Sequence, residues 1–379
     1  MNYSNELKEL LHQGIKDGVF PGAVAYVWEK GNMVFYEAAG NRSIKPQPKL
    51  MYPKTLFDLA SLTKPIVTAT LTMQLVEKKI IRLNQCVKDI LEGETKGFPF
   101  QNPHALSFGN PVSPTQNPFL WGISIEEFNQ SNITIKHLLT HTSGLPAWKP
   151  LYLEAKEPER VVSYLGQIPL EYKTGSKVVY SCLGYILLGK LIEQVTGKNL
   201  DVLARELIFH PLEMYDTFYN PSPENTRRCA ATEDSSSSQK RMTESYERHD
   251  WREGVLVGQV HDENAHWLGG IAGNAGLFST AGDLAKYCSA LLEAGNGILS
   301  QSSVDLMKQN HTMGLDGSRS LGWIVMPDGS LYHTGYTGTA IRLDFKRKFF
   351  AILLTNRVHP DATNTAILDF RDKFYGMLF

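Results

Sequence analysis

Residues 58–75 read DLASLTKPIVTATLTMQL. The first half is loop-like, and from Ile66 onward apolar residues recur at 66, 67, 71, 75 and 76, the spacing of one helix face. Pro65 places the start of that helix, because proline is accommodated only in a first turn, where its missing N–H would have had no partner. Ser61 and Lys64 therefore sit at a helix entrance, three residues apart and on one face. The entrance adds partial positive charge and free backbone N–H groups beside the hydroxyl. Serine is a weak nucleophile until a neighbouring base takes its proton. Lysine serves as that base when burial and nearby positive charge depress its pKa. The same letters also describe a capping serine and a solvated lysine, so the pair needs partners elsewhere before it reads as chemistry.

Two partners lie downstream. Tyr180-Ser181-Cys182 stands on the loop entering the helical pattern CLGYILLGKLIEQVTG (182–197), where a phenol can shuttle protons if positive charge lowers its pKa. His333-Thr334-Gly335 falls in the strand pattern SLYHTGYTG (330–338), where a glycine lets substrate backbone approach a strand edge. An SxxK pair, a second polar motif and a KTG-like strand form a known signature set. With SLTKP (61–65), ITIKHLLTHTSGLP (133–146), YSCLGYILLGKLIE (180–193), GLFSTAGDLAKY (276–287) and HTGYTGT (333–339), the chain resembles the serine β-lactamase and penicillin-binding-protein superfamily. The resemblance is to the class C side, where Tyr-x-Asn is the second motif, and it covers most of residues 15–357. VHDENAHWLGGIAGNAGLFSTAGDLA (260–285) and AATE (230–233) are similar to a subgroup of cell-wall-fragment amidases, D-aminopeptidases and esterases.

The resemblance implies that Ser61 forms an acyl-enzyme, with Lys64 as base or as activator of Tyr180. Tyr180 would protonate the leaving group and then activate the hydrolytic water. Backbone N–H groups of Ser61 and Tyr336 would form the oxyanion hole, and Cys182, His333, Thr334 and Gly335 would line the substrate. No metal or organic cofactor is implied. Two departures stand out. His333 replaces the usual lysine, whose fixed charge meets a substrate carboxylate. Cys182 replaces the usual asparagine, an amide that both donates and accepts. Both weaken the case for β-lactam turnover. The expectation is a serine hydrolase that cleaves an amide in peptidoglycan-derived peptides, as a muramyl-peptide amidase or D-amino-acid peptidase. A carboxylesterase of the same fold is the nearest alternative, and a penicillin-binding sensor without turnover is one of another class.

The rest of the chain fits this fold class, α/β (α+β). GAVAYVWEKGNMVFYEAAG (22–40) reads as a hairpin, and four short β-rich runs lie between 321 and 358. An isolated hairpin is marginal in water, so both chain ends are expected to form one antiparallel sheet of five or more strands. Amphipathic helices at the two termini would cover one face. Residues 1–85 and 265–379 are expected to form this sheet domain. Residues 86–264 would form a mostly helical one with long loops, including a proline-rich loop at 97–118 and a polar run at 221–252.

A net charge of -1 gives no electrostatic case for nucleic acid, although a local basic patch stays open. No apolar window approaches a membrane span and the N-terminus lacks a signal-peptide pattern, which reads as cytoplasmic or as a trimmed secreted form. Nothing in the pattern specifies an oligomeric state. His137 and His141 are four apart, and His261, Asp262, Glu263 and His266 cluster, but a structural helix and a hydrogen-bonded loop beside the pocket explain them better than metal sites. Glu233 either contacts substrate or braces that loop. GxSxG, Walker A and GxGxxG motifs are absent.

Overall fold

The computed structural model describes residues 4–92, 132–155, 157–235 and 252–379. The proline-rich stretch 97–118 and most of the polar run, 236–251, lie outside the described residues. The hairpin forms as β1 (Gly22–Glu29) and β2 (Asn32–Ser43), with β3 (Lys49–Leu50) on its outer edge. Short strands β4 (Phe57–Asp58), β5 (Phe218–Tyr219) and β8 (Leu277–Ser279) make a three-stranded sheet, while β6 (Ala231–Asp234) pairs with β7 (Val255–Val257). Near the C-terminus come β9 (Ile324–Val325), β10 (Leu331–Thr334), β11 (Ala340–Asp344) and β12 (Phe349–Thr355).

The two chain ends do share one sheet. Its order is β3-β2-β1-β12-β11-β10-β9, with antiparallel neighbours throughout. The seam is β1 against β12, in register from Ala23↔Thr355 to Glu29↔Phe349. Burial explains why that seam is central. Every residue of β12 is buried, so it needs cover on both faces and a partner on both edges. On one face Ala23, Ala25, Val27, Ala351 and Leu353 meet the terminal helices Ser4–Lys16 and Ile367–Gly376. Phe370 stands edge-on to Phe20 there, with centroids 4.8 Å apart. On the other face Val24, Phe350, Ile352 and Leu354 join a core that runs through helix Ala281–Leu292 to helix Cys182–Thr196. Each large apolar side chain buried this way contributes about 1.5–3 kcal/mol.

One expected strand is mostly absent. LGWIVM (321–326) keeps only Ile324–Val325, while Leu321 and Trp323 enter the core from irregular backbone. The cause is Gly322, at φ +98°, whose turn lies so close to helix 64–69 that a Cβ would press on Ala69. Among the described residues no helix is long and apolar enough to cross a membrane.

Candidate active site

Ser61 lies in a short 3-10 turn, Ala60–Leu62, followed by a wide π-type turn over Lys64–Ala69 and an α-helix from Thr70. Pro65 falls in the first turn of that helical run. The backbone strain sits one residue ahead of the serine, at Ala60, with φ +46°. A left-handed non-glycine residue costs on the order of 1–3 kcal/mol and persists only where its surroundings hold it. Here they do. The Asp58 carboxylate accepts from Ala60 N at 2.8 Å, and the Thr63 hydroxyl donates to the Ala60 carbonyl at 2.7 Å. Thr337 and Thr339 donate to the carbonyls of Asp58 and Leu59 at 2.7 and 3.0 Å. Thr337 and Thr339 of HTGYTGT thus tie the serine turn to the loop after β10.

Lys64 is fully buried, and its amine donates to Ser61 Oγ at 2.9 Å and to the Asn274 carbonyl at 3.0 Å. Cys182 Sγ lies 3.6 Å away and the Tyr180 ring centroid 4.9 Å away. The Tyr180 hydroxyl lies close enough to Lys64 and Ser61 for each to lower its pKa. Desolvation works against the Lys64 charge, but attraction to ionisable Cys182 and Tyr180 outweighs it and holds the amine above its ordinary range. Desolvation likewise lifts the Tyr180 phenol and the Cys182 thiol, with the Lys64 charge pulling back on both. The resting site therefore holds an ammonium, a neutral phenol and a neutral thiol at neutral pH.

Tyr180 is held by the segment around THTSGLP. Ser181 N donates to His141 Nδ1 at 3.0 Å, the Ser181 hydroxyl to the Pro146 carbonyl at 2.7 Å, and Cys182 N to the Ala147 carbonyl at 2.9 Å. The His141 ring packs under Tyr180 at 4.5 Å. Desolvation and nearby cations hold this histidine well below its usual range, so it is a neutral brace. His137 instead closes a capping box with Thr134 at the start of helix Ile135–Leu139.

The end of β10 supplies the opposite wall. His333 is 2% exposed, turned inward, with Nδ1 bonded to the Thr334 carbonyl at 2.9 Å. Desolvation, with Lys64 and Arg319 nearby, keeps it neutral, so it brings no charge to the cleft. Thr334 is half-buried. Gly335 is needed for internal packing, since a Cβ would collide with the Leu59 carbonyl and the Thr339 hydroxyl. Gly335→Ala is expected to lower stability by about 1–3 kcal/mol, the cost of overpacking, read as a drop in melting temperature. A melting point equal to the wild type would contradict that reading. Tyr336 is 53% exposed, and its N–H donates to no group among the described residues.

Glu233 is fully buried and accepts from Ala362 N at 3.3 Å, with its other oxygen 2.9 Å from His261 Nε2. Asp262 caps helix Glu263–Trp267, and Glu263 pairs with Arg252 at 2.6 Å. No group of three or more such side chains that could hold a metal ion occurs among the described residues. Three residues at the site were not singled out in the sequence. They are Asn274, through its carbonyl, and the cations Arg319 and Arg357. The Arg319 guanidinium lies 5.7 Å from the Tyr180 ring centroid and has no ion-pair partner among the described residues.

The chain is similar along most of its length to known proteins. A family model described as Beta-lactamase matches residues 7–373. The N-acetylmuramyl-L-alanine amidase of Bacillus subtilis (strain 168) is 31% identical over 385 residues, covering 93% of this chain and 81% of the relative. An Escherichia coli (strain K12) protein provisionally named a D-alanyl-D-alanine carboxypeptidase is 28% identical, covering 87% and 77%. Among solved structures, EstCE1, a hydrolase with promiscuous acyltransferase activity, shares the fold with a TM-score of 0.70 at 21% identity, covering 99% of each chain.

Proposed function

The chain belongs to the beta-lactamase family, and on that premise we propose that it cleaves an amide bond in peptidoglycan-derived peptides through an acyl-enzyme on Ser61. The observation that carries this is the three-way contact of Ser61, Lys64 and Tyr180, with the amine 2.9 Å from the hydroxyl. Ser61 Oγ attacks the carbonyl carbon while its proton passes to the Tyr180–Lys64 pair. The same pair returns a proton to the leaving amine as the C–N bond breaks, and water then hydrolyses the acyl-enzyme by the reverse relay. The N–H groups of Ser61 and Tyr336 face the oxyanion, where one donor is worth about 3–4 kcal/mol of transition-state stabilisation. The relative named N-acetylmuramyl-L-alanine amidase supports the substrate class.

Two features refine the substrate. A neutral His333 and a thiol at Cys182 do not reproduce the charge and amide that grip a β-lactam, which supports weak or no β-lactamase activity. Arg319, beside the proposed leaving-group acid, is the cation placed to meet a carboxylate on the departing fragment. Arg319→Ala is expected to slow turnover of peptides with a free carboxylate on the leaving group about 10–100-fold, the loss of a charge-assisted hydrogen bond. Neutral esters should change less than threefold. Equal losses on both would remove Arg319 from substrate recognition.

The reading itself is tested with a panel of muramyl peptides, small nitrophenyl esters and β-lactams, followed by intact-protein mass and product release. Muramyl-peptide cleavage exceeding ester turnover supports the amidase. Ester turnover alone supports the carboxylesterase, which the uncharged His333 wall also suits. Stable adducts without turnover on every compound would make the protein a sensor.

A further inference from the structure

Tyr336 poses a mechanical problem. A useful oxyanion donor must be held to within about 0.5 Å, yet this N–H lies on a loop beyond β10 and its side chain is half exposed. The N–H belongs to the Gly335–Tyr336 peptide, and the carbonyl of that same peptide is bound from beneath. Arg371, on the C-terminal helix Ile367–Gly376, donates to the Gly335 carbonyl at 2.9 Å and to the Thr339 carbonyl at 2.9 Å. Gly338 N adds a second donor to the Gly335 carbonyl at 3.1 Å. Arg371 is 7% exposed, and no carboxylate pairs with it among the described residues. A buried guanidinium without a counter-ion is costly to the fold, so its placement on these two carbonyls calls for a reason.

We propose that Arg371 is a positioning residue that orients and polarises the Gly335–Tyr336 peptide, so that the Tyr336 N–H is a stronger oxyanion donor. The inference rests on the acyl-transfer reading, since it needs an oxyanion. A charged donor on a carbonyl draws electron density through the amide and makes the N–H at its other end more acidic, as hydrogen bonds in chains polarise one another. The next residue is held in the same way. Arg357 donates from Nε to the Tyr336 carbonyl at 2.8 Å, lies 4.4 Å over the Tyr336 ring, and is anchored on the Ala362 and Asn364 carbonyls at 2.9 and 3.0 Å.

His261 completes the frame. Its ring stacks on Tyr336 at 5.5 Å, and its backbone N–H donates to the Asp58 carboxylate at 2.6 Å. That Asp58 carboxylate also holds Ala60 N, next to Ser61. The two proposed oxyanion donors are thereby linked through Asp58 and His261. Arg371 fixes the peptide that carries one of them.

The test is single-turnover acylation of Arg371→Met and Arg371→Lys with matched nitrophenyl ester and thionoester substrates. A sulfur anion takes weaker hydrogen bonds, so a good oxyanion hole favours the ester, and a damaged hole narrows the ester-to-thionoester rate ratio. Arg371→Met is expected to acylate about 10–30-fold more slowly, with KM within threefold and the ratio narrowed about tenfold. Arg371→Lys should recover part of both. Acylation within twofold of wild type, or a fall with the ratio unchanged, overturns the proposal. If Arg371→Met does not fold, Arg371→Lys and His261→Ala are measured for the same ratio, and an unchanged ratio in both has the same consequence. Absence of any Ser61 adduct in the wild type would instead overturn the acyl-transfer reading, so the two failures are told apart.

Discussion

Ser61→Ala is expected to abolish acyl-enzyme formation and to lower hydrolysis of every substrate about 10⁴–10⁶-fold, as loss of a nucleophile does when no other group can replace it. The surroundings justify the size. Thr63 is fully buried and its hydroxyl is committed to the Ala60 carbonyl, so it cannot take over. Cys182 is a nearby group with nucleophilic chemistry, 3.6 Å from the Lys64 amine. Desolvation keeps its thiol protonated, and a thiol is a poor nucleophile beside a thiolate. Intact mass of wild type and variant after exposure to a nitrophenyl ester checks the expectation. An adduct that survives in Ser61→Ala would sink it and move the chemistry to Cys182.

The Tyr180–Lys64 pair carries the second large effect. Tyr180→Phe removes the phenol that contacts both Ser61 and Lys64, and should lower kcat about 10²–10⁴-fold, the usual range for a general acid–base group. The wild-type pH profile follows from the directions of the shifts. Desolvation holds the phenol above its usual 10, and attraction to its neighbours holds the amine above 10.5. Both are protonated at neutral pH, and the pair must lose one proton before it can accept the one from Ser61. Acylation should therefore rise with pH, about tenfold per unit, until the pair's apparent pKa is reached. His141 and His333 are held neutral, so neither adds a limb between pH 6 and 8. A flat profile from pH 6 to 9 in the wild type would mean that another group takes the proton.

Much of this architecture was legible one segment at a time. Alternating and continuous apolar runs located the hairpin and three of the four C-terminal strands. The helix Cys182–Thr196 was readable from its apolar spacing and the Gly197 that ends it in the left-handed region. LGWIVM misled because its composition is that of a strand, whereas the turn at Gly322 is set by contact with Ala69, 253 positions earlier in the chain by number (322 against 69). No local pattern reports such a contact. Gly335 was read as room for substrate at a strand edge, and the structure adds a demand that no local pattern reports, since a side chain there would meet the Leu59 carbonyl.

The site divides along the same line. Pro65 alone determined that Ser61 and Lys64 stand at a helix entrance, because ring geometry and a missing N–H are properties of one residue. The resemblance carried by the motifs then suggested which tyrosine and which strand belong with them. Distance, burial and charge were decided only by the tertiary structure. It buries Lys64 against the Asn274 carbonyl, turns His333 inward as a neutral group, and brings Arg319 beside Tyr180. It also sets Arg371, from the last helix, beneath the peptide that carries the Tyr336 N–H. An arginine's role depends on which carbonyl or anion lies at the end of its side chain, and that neighbour is supplied by packing of distant segments, not by adjacent letters.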